Sequence, residues 1–195
     1  MIKKFRILIL EDQPTDAELE IRELRQAKLE FEAKCVETKE TFLKALKDFD
    51  PDVIISDYGL PQFNGLEALR LLKELNLDIP FILCTGSLTE EVAVKCMKEG
   101  AADYILKSSL KRLPSAVLNV LEKSEARQTK EEAVAALRES EEWLKALLDA
   151  SRDGIVVEDD EDIVYINQSY ARQLKYDNAA ELVGRHISSA ARNTL

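Results

Sequence analysis

Five short apolar runs alternate with five helix-period segments over the first 120 residues, and this alternation restricts the fold more than any other feature. The runs are Phe5–Leu10, Phe31–Val36, Val53–Ser56, Ile79–Cys84 and Tyr104–Leu106. With them alternate Asp16–Lys28, Thr41–Phe49, Leu66–Leu75, Glu90–Glu99 and Leu113–Leu121, where apolar residues recur at three- and four-residue steps. Repeated strand–helix units predict an α/β domain, a doubly wound five-stranded parallel sheet. Runs such as Val53-Ile54-Ile55 suit strands covered on both faces. Pro51 precedes a strand, Asn64-Gly65 precedes a helix and Gly100 follows one, as turn chemistry requires.

The character changes after Leu113. Pro114 is followed by no Pro or Gly until Gly154, which predicts a long helix over 113–150. Its apolar positions run Leu113, Val117 and Val120, lapse through Ser124, Arg127 and Glu131, and resume at Val134, Leu137, Leu144 and Leu148. That interrupted heptad predicts a homodimer through the helix 113–148; the alternative is a monomeric helix packed along its own domain. Beyond Ser151–Gly154, two short strands, Ile155–Val157 and Ile163–Ile166, flank the acidic turn Glu158–Asp162. A helical run Ser169–Leu174 and Leu182-Val183-Gly184 follow. A hairpin and two short helices bury little core alone, so this tail is expected to dock or to continue. The expected divisions are 1–122, 123–148 and 149–195.

A formal net charge of -10 argues against a basic nucleic-acid footprint in this segment. No run reaches the roughly 20 apolar residues of a membrane span. Met1-Ile2-Lys3-Lys4 leads straight into a strand pattern with no leader-like apolar stretch, so a cytoplasmic protein is expected. Cys35, Cys84 and Cys96 have no metal-ligand spacing, and Cys84 reads as a small core residue. His186 stands alone and reads as surface.

In an open parallel sheet, ligands bind beyond the carboxyl ends of the strands at the switch point of the winding. Glu11-Asp12 end the first run, Asp57 ends the third, Thr85 ends the fourth and Lys107 follows the fifth. Clustered carboxylates repel unless a cation joins them, and an all-oxygen set suits Mg²⁺. Asp57 could then bind the ion through one oxygen and attack phosphorus with the other. Lys107 and the Thr85 hydroxyl would neutralise phosphoryl charge. Each residue alone has a plainer reading, such as an acidic cap ahead of Pro14; their joint placement at four strand ends favours the site.

These residues carry a resemblance. Residues 1–122 resemble a response-regulator receiver domain of two-component signalling, a flavodoxin-like fold. The resemblance rests on Ile7–Asp12, Asp57–Gly65, Thr85-Gly86 and Gly100–Lys107. It implies that Glu11, Asp12, Asp57 and the Gly59 carbonyl hold Mg²⁺. It further implies that Asp57 accepts a phosphoryl group from a histidine kinase or phosphotransfer protein, and that Thr85 and Tyr104 form the switch pair. Ser108 stands where the family usually has proline, so a trans peptide and an altered loop are expected. Gly86 replaces the usual alanine, and Gly59 offers no side chain to orient water, which predicts modest self-dephosphorylation.

The tail resembles the beginning of a PAS domain, through Leu147–Ile155, Ile163–Asn167 and Glu181–Arg185. It is assigned no cofactor, and the preceding helix resembles a signalling helix. The expected function is a phosphorylation-dependent switch relayed through that helix, with no enzyme activity beyond its own phosphotransfer and dephosphorylation. An adaptor acting by contact alone is the alternative. An aspartate-nucleophile phosphatase would resemble a pattern with a second acid two residues after Asp57, where Gly59 stands.

Overall fold

The computed structural model describes residues 4–86 and 90–190. Met1–Lys3, part of the leader reading, and residues 191–195 of the expected tail lie outside the described residues. The chain divides into two compact units, Met1–Gln128 and Thr129–Leu195.

In the first unit the strands are β1 (Phe5–Leu10), β2 (Phe31–Val36), β3 (Val53–Asp57), β4 (Phe81–Thr85) and β5 (Asp103–Leu106). The helices are α1 (Pro14–Gln26), α2 (Lys39–Asp48), α3 (Gly65–Glu74), α4 (Glu90–Lys98) and the start of α5 (Leu113–Ala150). All ladders are parallel, in the order β2-β1-β3-β4-β5. The winding reverses between β1 and β3, so their carboxyl ends open on the switch point.

Alternation along the strands divides the core. Leu8, Leu10, Ile54, Phe81 and Leu83 pack with Phe42 and Leu46 of α2 and Leu66, Leu69 and Leu72 of α3. Ile7, Ile9, Val53, Ile55 and Ile82 pack with Ala17 and Leu24 of α1 and Leu113, Val117 and Val120 of α5. Each fully buried aliphatic side chain contributes about 1.5–3 kcal/mol. Both faces are therefore covered, as the uninterrupted apolar strands require.

The elements differ from expectation at their ends. β3 and β4 run one residue further, because Asp57 pairs with Cys84 and Thr85 pairs with Leu106 in the ladders. β4 starts only after Pro80, which has no N–H for the ladder. α1 begins at Pro14 rather than Asp16, since an N–H is dispensable in a helix's first turn. α3 starts with a reciprocal Asn64–Glu67 capping box. Gly65 makes that start possible: a Cβ there would lie 2.6 Å from Leu83 and 2.7 Å from the Asp57 carbonyl. Gly100, with φ 94°, turns the chain after α4.

Peptide bonds among the described residues are trans, that joining Lys107 to Ser108 included. Lys107–Arg112 form a 3₁₀ segment that leads directly into α5. Burial on α5 ends at Leu121. The later apolar positions Val134, Leu137 and Leu144 are 58%, 61% and 52% exposed. No described helix is long and apolar enough to cross a membrane.

The second unit contains an antiparallel hairpin, β6 (Val156–Asp159) and β7 (Asp162–Ile166), followed by α6 (Gln168–Gln173). Glu158 pairs with Ile163 and Asp159 with Asp162, so the acidic turn tightens to Asp160-Glu161. Both turn residues have positive φ, 46° and 69°, the handedness that matches strand twist in a two-residue hairpin. Ile163, Ile166, Ala171, Leu174 and Leu182 form its small core.

Candidate functional site

The carboxyl ends of β1 and β3 bring Glu11, Asp12 and Asp57 together, with a ligand oxygen from each lying within 4.8 Å of the others. Glu11 is buried, and Asp12 and Asp57 are half-buried. Lys107, the residue after β5, reaches across the sheet. Its ammonium donates to Glu11 Oε2 at 2.7 Å, Asp16 Oδ2 at 2.6 Å and Asp57 Oδ2 at 3.1 Å. Asp57 Oδ1 accepts from the Gly59 backbone N–H at 3.1 Å, and Glu11 Oε1 accepts from the Gln13 N–H at 3.1 Å. That last bond satisfies the N–H of Gln13, the N-cap residue of α1, whose own side chain makes no cap.

Thr85 is buried at the end of β4. Tyr104, half-buried on β5, pairs in the ladder with Leu83 and packs against the core. Thus Glu11, Asp12, Asp57 and Lys107 converge as the strand-end argument anticipates. Thr85 and Tyr104 sit on the neighbouring strands of the same sheet.

The electrostatics are dominated by burial and by excess negative charge. Burial raises the Glu11 carboxyl above its usual range, and the hydrogen bond from Lys107 recovers only part of that cost. Burial also opposes the Lys107 ammonium, but hydrogen bonds to Asp16, Glu11 and Asp57 outweigh it, so its pKa lies above that of an ordinary lysine.

Two carboxylates of α1 went unremarked in the sequence. Asp16 is one of the three partners of Lys107. Glu20, one turn further on, is 1% exposed, and neither oxygen forms a well-made hydrogen bond. Burial pushes its pKa up to about 8, against the opposing influence of the neighbouring Cys84 thiol. The signal for Glu20 was present: Ala17, Glu20 and Leu24 share the buried face of α1.

An octahedral Mg²⁺ with bonds of about 2.0–2.1 Å places its ligand oxygens roughly 3–4 Å apart. The Glu11–Asp12–Asp57 oxygens span such a volume with hard donors only, so these residues fit that ion.

The family model described as the response regulator receiver domain matches residues 7–118, more than half of the chain, and the chain belongs to that family. Residues 142–194 match a PAS domain model. The chain is 32% identical over 102 residues to the regulatory protein AtoC of Escherichia coli (strain K12), covering 52% of this chain and 22% of AtoC. It is 27% identical over 154 residues to the probable C4-dicarboxylate response regulator DctR of Bacillus subtilis (strain 168), covering 78% of this chain and 66% of DctR. The signal receiver domain of a signal transduction histidine kinase from Syntrophus aciditrophicus superposes with a TM-score of 0.53 at 32% identity, over 61% of this chain and 91% of that one. The chain thus spans between about a fifth and two thirds of these curated relatives' length.

Proposed function

We propose that this chain is a phosphorylation-controlled switch in which Asp57 accepts a phosphoryl group from a histidine kinase or a phosphotransfer protein. The observation that carries the reading is the Lys107 ammonium held between Glu11 and Asp57, at 2.7 and 3.1 Å, across three strand ends. Glu11, Asp12, Asp57 and the Gly59 carbonyl would hold Mg²⁺. When bound, the ion supplies charge neutralisation for the phosphoryl oxygens.

An Asp57 oxygen attacks phosphorus, the P–N bond to the donor imidazole breaks, and that nitrogen keeps the electron pair and gains a proton from solvent. Lys107 and Thr85 then donate to phosphoryl oxygens. Movement of Thr85 draws Tyr104 inward and biases a pre-existing two-state equilibrium. The change is relayed along α5 to the PAS segment and any output beyond. Of the homodimer seam expected over 113–148, Leu113, Val117 and Val120 are buried against the sheet of their own chain, so pairing with a second copy falls to the part after Leu121. The exposed Val134, Leu137 and Leu144 support that pairing, since apolar residues at heptad spacing gain burial in a dimer. The domain limits that follow are 1–122, 123–148 and 149–195. The net charge of -10 supports a protein-contact module rather than a nucleic-acid binder, and a cytoplasmic setting is the one in which its kinase donor would act.

Acetyl phosphate with Mg²⁺ should add one phosphoryl mass to the wild type and none to Asp57→Asn. Labelling of both proteins alike, or of neither, would refute the assignment. Disulfide crosslinking at positions 134, 137 and 144 should change between the free and phosphorylated protein; identical patterns would remove the relay.

A further inference from the structure

Lys107 spends all three N–H donors on carboxylates, and the shortest of the three contacts is to Asp16, at 2.6 Å. The contact to Asp57 is the longest, so the ammonium sits nearer Glu11 and Asp16 than Asp57, to which it still donates. Asp16 occupies the first turn of α1, where an acid is favoured by the helix dipole alone. Its side chain does not cap the helix, however, because the Gln13 N–H that it could accept from is taken by Glu11. Asp16 also stands outside the Glu11–Asp12–Asp57 group whose oxygens could share an ion. A cation there would draw on Glu11 and Asp57 and leave Asp16 as the competing partner of Lys107.

We propose that Asp16 is a positioning residue for Lys107, drawing the ammonium towards α1 and setting how strongly it can serve a phosphoryl group. This rests on the reading of Asp57 as the phosphoacceptor. Two consequences have opposite signs. Asp16 adds negative charge beside the cation site, so it strengthens binding of Mg²⁺. The same charge repels an incoming dianion and withholds the lysine from it, so it weakens binding of a phosphoryl group. Asp16 is 33% exposed, so each effect is that of one partly screened charge, roughly three- to tenfold.

The test compares wild type, Asp16→Asn and Asp16→Glu by calorimetry, first with Mg²⁺ alone and then with fluoroberyllate, a phosphoryl mimic, at saturating Mg²⁺. Asp16→Asn should bind Mg²⁺ about three- to tenfold more weakly and fluoroberyllate more tightly by a similar factor. Asp16→Glu, which keeps the charge, should return both values towards wild type. If both affinities fall together, Asp16 supports the helix and not Lys107, and the inference fails. If neither moves while wild type still takes fluoroberyllate and acetyl phosphate, Asp16 is only a first-turn acid, and the inference fails alone. Wild type inert to both reagents would overturn the phosphoacceptor reading, and this inference with it.

Discussion

Lys107, half-buried, and Asn167, fully buried, each centre a polar network, and the two networks balance differently. The Lys107 ammonium faces three carboxylates, Glu11, Asp16 and Asp57, with the Asp12 carboxylate alongside. Asn167 in the second unit is fully buried and neutral. Its carbonyl oxygen accepts from Ile155 N at 2.9 Å and Tyr170 N at 3.0 Å, and its amide donates to the Leu148 carbonyl at 3.1 Å and the Asp153 carbonyl at 2.8 Å. Both donors and both acceptor positions are used, which is the full capacity of the side chain. A closed neutral network of this kind fastens backbone segments and has nothing left to offer a ligand. A network with surplus charge of one sign costs stability and persists where a cation or a reaction draws on it.

The largest expected effect separates the networks by pH. Glu20 lies beside the charged set, facing Glu11 just after β1, Asp57 of β3, Cys84 of β4 and Lys107, and burial pushes its carboxyl up to about 8 from 4.5. A carboxyl that holds its proton more tightly when folded stabilises the fold fully below its unfolded pKa. That contribution is lost as pH rises through the folded one. Between about pH 4.5 and 8 the loss is at most about 5 kcal/mol. Urea denaturation of wild type and Glu20→Gln at about pH 5 and about pH 9 should show a much smaller decline in the variant. Equal declines would mean that the carboxyl is not the source.

The neutral network should respond to shape and not to pH. Asn167→Leu leaves the Ile155 and Tyr170 N–H groups and the Leu148 and Asp153 carbonyls without their partner. Loss of a closed buried network of this size should destabilise the second unit by about 3 kcal/mol. Amide exchange at Ile155 and Tyr170 should accelerate accordingly while exchange in β1 and β3 stays unchanged. Protection that survives at Ile155 would show that the fastening lies elsewhere.

How much of this was legible in the chain depends on the range of the interaction. The strand ends carrying Glu11, Asp12, Asp57 and Thr85 follow from short apolar runs, a local signal. The exact ends of β3 and β4 do not, because ladder partners such as Asp57 and Cys84 decide them. Glu20 was readable in principle, as a glutamate in the buried phase of α1. The Asp16–Lys107 bond was not, because 91 residues separate the partners and no periodicity connects them. The acidic turn Glu158–Asp162 was legible, but not its tightening to Asp160-Glu161, because a glutamate does not ordinarily accept positive φ. Asn167 could be recognised as part of a motif, but its four bonds exist only once helix end, strands and α6 are assembled.

The smallest effect tests whether charge pairing matters without burial. Arg127 on α5 pairs with Asp78, their side chains 46% and 67% exposed. Water solvates both groups in the unpaired state, and ordering two mobile side chains offsets most of the attraction. Asp78→Asn should therefore cost less than about 1 kcal/mol in low salt, and the cost should fade at about 0.5 M salt, where screening is short-ranged. Lys107 makes the same kind of bond at 18% exposure, so Lys107→Met should shift stability in a manner that salt alters far less. If the two substitutions showed the same salt dependence, burial would not be what distinguishes the strand-end cluster from an ordinary surface ion pair.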